Sequence, residues 1–147
     1  MKVSKDAQAV IIRRGIHNKL FFLVIKRFDK DKQEDHYRLV KGGVEEGESS
    51  KETIQREVFE EVGIKKIDTV EFLSCYEYVG NDIKHEVDVF LLAVGNADEK
   101  LSPGSSNEGG FIIKDAVWLN KEKAINKLNF TDEKRMIEKA VSKLLTV

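Results

Sequence analysis

The alternation of strand-like and helix-like stretches marks this as an α/β chain. Three stretches carry that reading. Leu20–Arg27 (LFFLVIKR) is a nearly continuous apolar run, as in a strand covered on both faces. Between Ser49 and Gly63, Ile54, Val58 and Val62 recur every four residues and lay one apolar stripe along a helix. Near the C-terminus, Met136, Ile137, Ala140, Val141, Leu144 and Leu145 give a second amphipathic stripe, read as core packing.

The other elements follow in order. Gln8–Arg13 is a strand, joined to Leu20–Arg27 by a polar turn around Gly15 and Asn18. Lys26 and Arg27, at the end of the second strand, are placed to face either phosphates or water. Asp29–Asp35 is a charged loop, and His36–Val40 a short strand that delivers Lys41 and a glycine loop (Gly42, Gly43, Gly47). His36 is read as a surface residue, since no second His lies at ligand spacing. Ile67–Val79 and Ile83–Val94 flank Gly80-Asn81-Asp82, a hairpin signal. Tyr76 and Tyr78 share a face of the first of these strands, suited either to stacking on a nucleobase or to covering the sheet. Glu77 points the other way, and Glu86 and Asp88 share a face on the next strand, where either is a possible outlying acid of a metal site. Lys100–Gly110 is a Gly/Ser/Pro-rich loop carrying Glu108. Ala116–Leu119 is a short strand with Trp118; Asn120 caps a helix to about Leu128, and Thr131 caps the last helix.

Composition narrows the class. At 147 residues the chain is expected to be a single domain, 1–147. With 41% hydrophobic and 35% charged residues it has the composition of an ordinary soluble globule. A net charge of −1 leaves no global basic field, so stable nucleic-acid binding is not expected, and a small phosphorylated ligand would need local lysines and arginines. The one cysteine, Cys75, excludes an intramolecular disulfide and a multi-cysteine zinc site, and is read as a small strand residue. It suits a reducing cytosol. No apolar run approaches the roughly 18 residues of a membrane span. A cytoplasmic protein without a membrane partner is the expectation.

The chemistry concentrates between Leu39 and Ile64. Ser49 with Glu52 forms a capping box, and Gly63 supplies the stop. At about 100° per residue, Glu57, Glu60 and Glu61 fall in one arc beside the apolar stripe. All three lie where the helix macrodipole disfavours negative charge. Like-charge pairs at these spacings cost roughly 0.2–0.5 kcal/mol each. Between Glu45 and Glu61 there are seven acids against Lys51 and Arg56 alone. A divalent cation removes the difficulty, because hard cations take oxygen ligands. The upstream glycines let a backbone approach a ligand closely. A solvated acidic helix face explains neither the clustering nor the glycines.

Written out, the spacing is Gly42, five residues, Glu48, seven residues, then Arg56-Glu57-Val58, any residue, Glu60-Glu61, any residue, Gly63-Ile64. It resembles the Nudix box, the signature of hydrolases that split a nucleoside diphosphate linked to another moiety. Every fixed position is filled; outside it, Val40-Lys41-Gly42 stands where many members have Pro-Lys-Gly. The tail VWLNKEKAINKLNFTDEKRMIEKA is similar to the C-terminal region of the family's diadenosine tetraphosphate hydrolases. The resemblance implies a mixed sheet sandwiched between helices, with the box helix on one face. It also implies Mg2+, or Mn2+ in its place, held by Glu57, Glu60 and Glu61 with a carbonyl of the Gly42–Gly43 turn. Many members place a further Glu in the loop matched here by Glu108; a plain solvated Glu in a loop is the alternative reading. Glu57 is the candidate base, Arg56 orients a box glutamate, and Glu48 anchors the loop to the helix through Arg56. Gly43 and Gly63 serve the motif's backbone. Lys41 and Arg38 are the candidate phosphate contacts.

Dinucleoside polyphosphates are the favoured substrates, diadenosine tetraphosphate giving ATP and AMP. Within the class, a nucleoside triphosphate or RNA 5′ pyrophosphohydrolase is the alternative. A nucleotide-sensing domain without turnover is the alternative of another class. Such domains can lose box acids; none is missing here, which argues for activity. The oligomeric state is not fixed by the sequence.

Overall fold

The computed structural model describes residues 1–95, 101–102 and 111–145. Strand β1 (Lys2–Arg14) and strand β2 (Leu20–Asp29) form a hairpin through a short 3-10 turn at Ile16–Asn18. Strands β3 (Glu34–Arg38) and β4 (Val40–Gly43) lead to helix α1 (Ser50–Val62). Then come β5 (Thr69–Gly80), β6 (Ile83–Ala93), β7 (Phe111–Leu119), α2 (Lys121–Lys127) and α3 (Thr131–Leu145).

The sheet is mixed. β1 runs parallel to β6, and the other pairings are antiparallel. Strand alternation divides the core. Ala7, Ala9, Ile11, Val40 and Leu92 face Ile54, Val58 and Val62 of α1. Val10, Ile12, Val24, Val87 and Val89 face Ala124, Met136, Ile137 and Ala140 of α2 and α3. The expected sandwich of a mixed sheet between helices is therefore found.

One detail positions the site. β1 and β2 pair only through Ile12–Arg14 and Leu20–Phe22. Beyond that point they diverge, and one stretch of chain lines both inner edges. β3 pairs with β2 from Ile25 to Asp29, and β4 pairs with β1 from Asp6 to Ala9, with Leu39 between them. Leu39 is fixed there by its N–H, which donates to Glu133 Oε1 at 2.7 Å.

Several boundaries differ from the sequence reading. β1 begins six residues earlier than Gln8, because parallel pairing with β6 from Lys2↔Ile83 onward holds its polar first half. Gly42 and Gly43 lie in β4 rather than in a loop, paired with Ala7 and Asp6. Thr131 is the first helical residue, not the cap: the Lys134 N–H donates to the Phe130 carbonyl at 3.1 Å. Leu145, at the frayed end of the α3 stripe, is exposed. The capping box at Ser49–Glu52 and the left-handed Gly63 (φ 74°) are both present. No helix among the described residues is long and apolar enough to cross a membrane.

Ile54 is fully buried at the centre of the α1 contact. Its replacement by Ala should lower the unfolding free energy by about 2–5 kcal/mol, as cavities of this kind do. Urea denaturation should show a lower midpoint at unchanged slope.

Candidate active site

The split between β1 and β2 opens into a cavity of about 830 Å³. Glu57 and Glu61 reach it from α1, Arg27 from β2, Arg38 from β3, and Lys41, Gly42 and Gly43 from β4. Tyr76, Tyr78 and His85 come from the β5–β6 hairpin, and Asp6 from β1. Phe111, Phe130 and Glu133 complete the lining used below.

The predicted three-acid face divides. Glu57 and Glu61 are 6% and 3% exposed, whereas the Glu60 side chain is 47% exposed and hydrogen-bonded to Arg56 Nη1 at 3.2 Å. The helix wheel explains this. Glu61 stands about 60° from Val58 in the apolar stripe and Glu60 about 160°. Among the described residues no three of His, Cys, Asp and Glu form a group able to hold a metal. Glu108 lies outside the described residues.

Glu57 and Glu61, one helical turn apart, share a hydrogen bond. Burial raises the pKa of Glu57, against the lowering effects of that bond and of Arg56. Burial, and then the charge of Glu57, raise Glu61 well above the ordinary carboxylate range, while Arg27 and Lys41 pull the other way. Glu61 Oε2 is buried without a hydrogen-bond partner. A Cβ on Gly42 would overlap the Glu57 carboxylate, so only glycine lets this acid lie against the β4 backbone. Two buried acids, an oxygen without a partner and a bare backbone beside them suit a hard cation that takes oxygen ligands.

The remaining box residues form a scaffold around this pair. Arg56 donates through Nε and Nη2 to Glu48 at 2.8 and 2.9 Å, and through Nη1 to Glu57 Oε1 at 2.9 Å. Its Nη2 also reaches the Gly43 carbonyl at 3.3 Å. Glu48 accepts further from the Thr53 hydroxyl and the Glu45 N–H. The Arg56 hydrogen bonds, with that of Thr53, hold Glu48 down at about 2. The expected link from Glu48 through Arg56 to a box glutamate is thus the observed geometry. Gly63 donates its N–H to the Phe59 carbonyl and packs on Ser102.

Both expected phosphate cations already carry an acid. Lys41 Nζ donates to Asp6 Oδ2 at 2.9 Å. Arg38 donates through Nε and Nη2 to Glu133 Oε2 at 2.9 and 2.6 Å. Burial acts against the charge of Arg38, but Glu133 outweighs it and raises the pKa. Burial would also push Asp6 up; Lys41, with hydrogen bonds from His85 and Ser4, holds it lower. Arg27 is different: no carboxylate lies within ion-pair distance among the described residues. Its guanidinium sits 3.5 Å from the Phe111 ring centroid, its Nε has no partner, and burial lowers its pKa.

Tyr76 and Tyr78 both line the cavity. The Tyr76 hydroxyl donates to Gln8 Oε1 at 2.8 Å, and burial raises the pKa of its phenol. Tyr78 is stacked face to face on His85, with centroids 4.5 Å apart and planes 6° off parallel. Glu86 and Asp88 do not line the cavity; Asp88 lies 3.9 Å from Lys5 instead. Lys26 also stays outside, 3.8 Å from Asp35. Sequence reasoning missed Asp6, His85, Phe111, Phe130 and Glu133. Only Glu133 left a trace, an acid in helical register with Ile137 and Ala140 on the apolar stripe of α3.

The family model described as NUDIX domain matches residues 4–140. No curated protein sequence matches. Among solved structures, the chain is similar to a binary complex of C. elegans Ap4A hydrolase, at 21% identity and TM-score 0.79, covering 98% of this chain and 99% of that one. The NUDIX domain of Shewanella oneidensis NrtR complexed with ADP ribose is similar at 15% identity and TM-score 0.79, covering 98% and 90%. The E. coli dihydroneopterin triphosphate pyrophosphohydrolase is similar at 19% identity and TM-score 0.69, covering 94% and 96%. At these identities the likeness is one of fold.

The buried acids set a pH dependence. A carboxyl whose folded pKa is raised contributes stability below its unfolded value, about 4.3, and loses it as pH rises through the folded value. Calorimetry in EDTA should therefore show Glu61→Gln melting a few degrees above the parent protein at about pH 7, with the difference gone by about pH 4.

Proposed function

Since the chain belongs to the Nudix family of pyrophosphohydrolases, we propose that the cleft hydrolyses a phosphoanhydride bond in a nucleoside diphosphate derivative. Family members generally use a divalent metal, usually Mg2+. The observation that carries this reading is the buried Glu57–Glu61 pair lying against Gly42 in a cavity with arginine and lysine side chains.

Glu57, Glu61 and the Gly42 carbonyl would hold Mg2+ or Mn2+, with Glu60 at the rim and Glu108 as a further candidate. When bound, the cation offsets phosphate charge and makes a ligated water acidic enough to attack near neutral pH. Glu57 takes the proton of the attacking water, at a pKa that burial has raised toward that task. Arg56 fixes the Glu57 carboxylate by a charge-assisted hydrogen bond, and Glu48 in turn fixes Arg56. Arg27 is the cation best placed to bind substrate phosphate, because among the described residues no carboxylate lies within ion-pair distance of it. Lys41 and Arg38 are further phosphate contacts, restrained by Asp6 and Glu133. Tyr78 offers an aromatic surface for a base.

The favoured substrate is a dinucleoside polyphosphate, with diadenosine tetraphosphate giving ATP and AMP. The similarity of the tail VWLNKEKAINKLNFTDEKRMIEKA to that of diadenosine tetraphosphate hydrolases motivates this choice over nucleoside triphosphates and RNA 5′ ends. A domain that binds nucleotide without turnover is the second reading. The likeness to the NrtR domain holding ADP ribose motivates it.

Incubation with diadenosine tetraphosphate, ADP-ribose and nucleoside triphosphates plus Mg2+, with chromatography of the products, separates these readings. ATP plus AMP in equal amounts is the expected outcome, abolished by EDTA. Faster release of monophosphate plus pyrophosphate from a triphosphate would move the substrate class, and binding without products would favour the sensor. Glu57→Gln should lower kcat by about 10²–10⁴, the usual worth of a positioned base, with the urea midpoint little changed.

A further inference from the structure

We propose that His85 is a substrate-binding residue that reads a ribose hydroxyl, making the cleft selective for ribonucleotides over their deoxy counterparts. The proposal rests on the nucleotide-cleft reading above and adds a specificity to it.

His85 lies on β6 in phase with Val87 and Val89, so it belongs to the sheet face turned to α2 and α3. The Glu57–Glu61 pair stands on α1, which covers the other face, yet one cavity touches both through the split of the sheet. Two contacts fix the imidazole. Nδ1 lies 2.8 Å from Asp6 Oδ2, and the ring is stacked on that of Tyr78, its partner across β5 and β6. Against the upward push of burial, Lys41 holds the Asp6 carboxyl below its ordinary range. An ionised carboxylate only accepts, so the proton of the bond to His85 sits on Nδ1. Nε2 is the nitrogen left over. It has no hydrogen-bond partner among the described residues, on a side chain 21% exposed at the cavity wall.

The neighbours select what Nε2 meets. Lys41 and His85 bond the same oxygen of Asp6, so they stand side by side on this wall. An ammonium has three donors, and the bond to Asp6 uses one, which leaves N–H groups for a phosphate oxygen. The sugar carried by that phosphate then comes within reach of the adjacent imidazole. A base needs an open ring face, and the face that Tyr78 turns to His85 is already taken. A second phosphate oxygen only accepts, so it pairs with Nε2 in one protonation form of the ring alone. A ribose hydroxyl donates to a bare ring nitrogen or accepts from a protonated one, and so pairs in both.

The test is calorimetric titration of the full chain, in Mg2+, with AMP and with 2′-deoxy- and 3′-deoxy-AMP. AMP has no anhydride bond to cut, so binding is read apart from turnover. The parent should bind one deoxy analogue about three- to tenfold more weakly than AMP, the usual worth of one hydrogen bond. His85→Asn keeps an amide N–H toward Asp6 and has no atom in the place of Nε2. It should bind AMP as weakly as the parent binds that analogue, and should no longer distinguish the two. A role confined to holding Asp6 would leave the sugar preference intact in this variant. An unchanged preference in His85→Asn, with or without a loss of overall affinity, therefore overturns the proposal. So does a parent with no AMP binding or no sugar preference. Where His85→Asn does not fold, His85→Phe decides by the same ratio, since it keeps a ring on Tyr78 and carries no nitrogen. A parent that cuts nucleotides without sugar preference refutes the role of His85 alone. One that neither binds AMP nor cuts any nucleotide refutes the cleft reading with it.

Discussion

Two carboxyl groups on consecutive turns of α1 are withdrawn from water into the split of the sheet, and most of the surrounding polar architecture answers to that. Taking even one carboxylate out of water costs several kcal/mol after relaxation. Here two lie side by side, close enough to share a hydrogen bond. The fold meets this cost with geometry. Gly42 gives up its side chain so that Glu57 lies against backbone. Arg56 supplies positive charge at the solvent side of Glu57 and is itself clamped by Glu48. Glu61 receives no such partner for Oε2. Under the proposed activity, that oxygen is the one a divalent cation would take up.

The same economy governs the cationic side of the cleft. Each of three cations of the cleft has a specific partner. Lys41 donates to Asp6, Arg38 donates to Glu133, and Arg27 stacks on the Phe111 ring. These restraints are also where distant elements are joined. Glu133 bonds both to Arg38 and to the Leu39 N–H, so α3 is stapled to the point where the chain passes from β3 to β4. Charge pairing and sheet topology are here one device.

What the sequence disclosed, and what it withheld, follows from range. The capping box, the Gly63 stop and the Asn81-Asp82 turn depend on residues within a few positions of each other, and all were legible; the Glu48–Arg56 link, spanning eight residues, came from the family resemblance. The sandwich followed from apolar periodicity together with the family resemblance. Glu60 proves exposed where Glu57 and Glu61 are buried, because a shared arc does not tell which of its edges the sheet covers. Gly42 was read as loop because its strand pairing depends on β1, far earlier in the chain. Asp6, His85 and Glu133 were missed for the same reason: their partners are 35, 79 and 95 residues away. No local pattern marks an acid whose partner lies on another strand.

The internal acids also bear on substrate choice under the proposed activity. Lys41 and Arg38 are each half-satisfied before any ligand arrives, so a single phosphate gains little from either. A chain of phosphates bound in the proposed site would meet several of these cations in the one cavity, each contact favouring the next. Under the proposed activity such a cleft would favour long polyphosphates over monophosphates without needing a large net positive charge. That agrees with a chain whose formal charge is −1. It would also favour release, because after cleavage each shorter product would hold fewer of those contacts than the intact substrate.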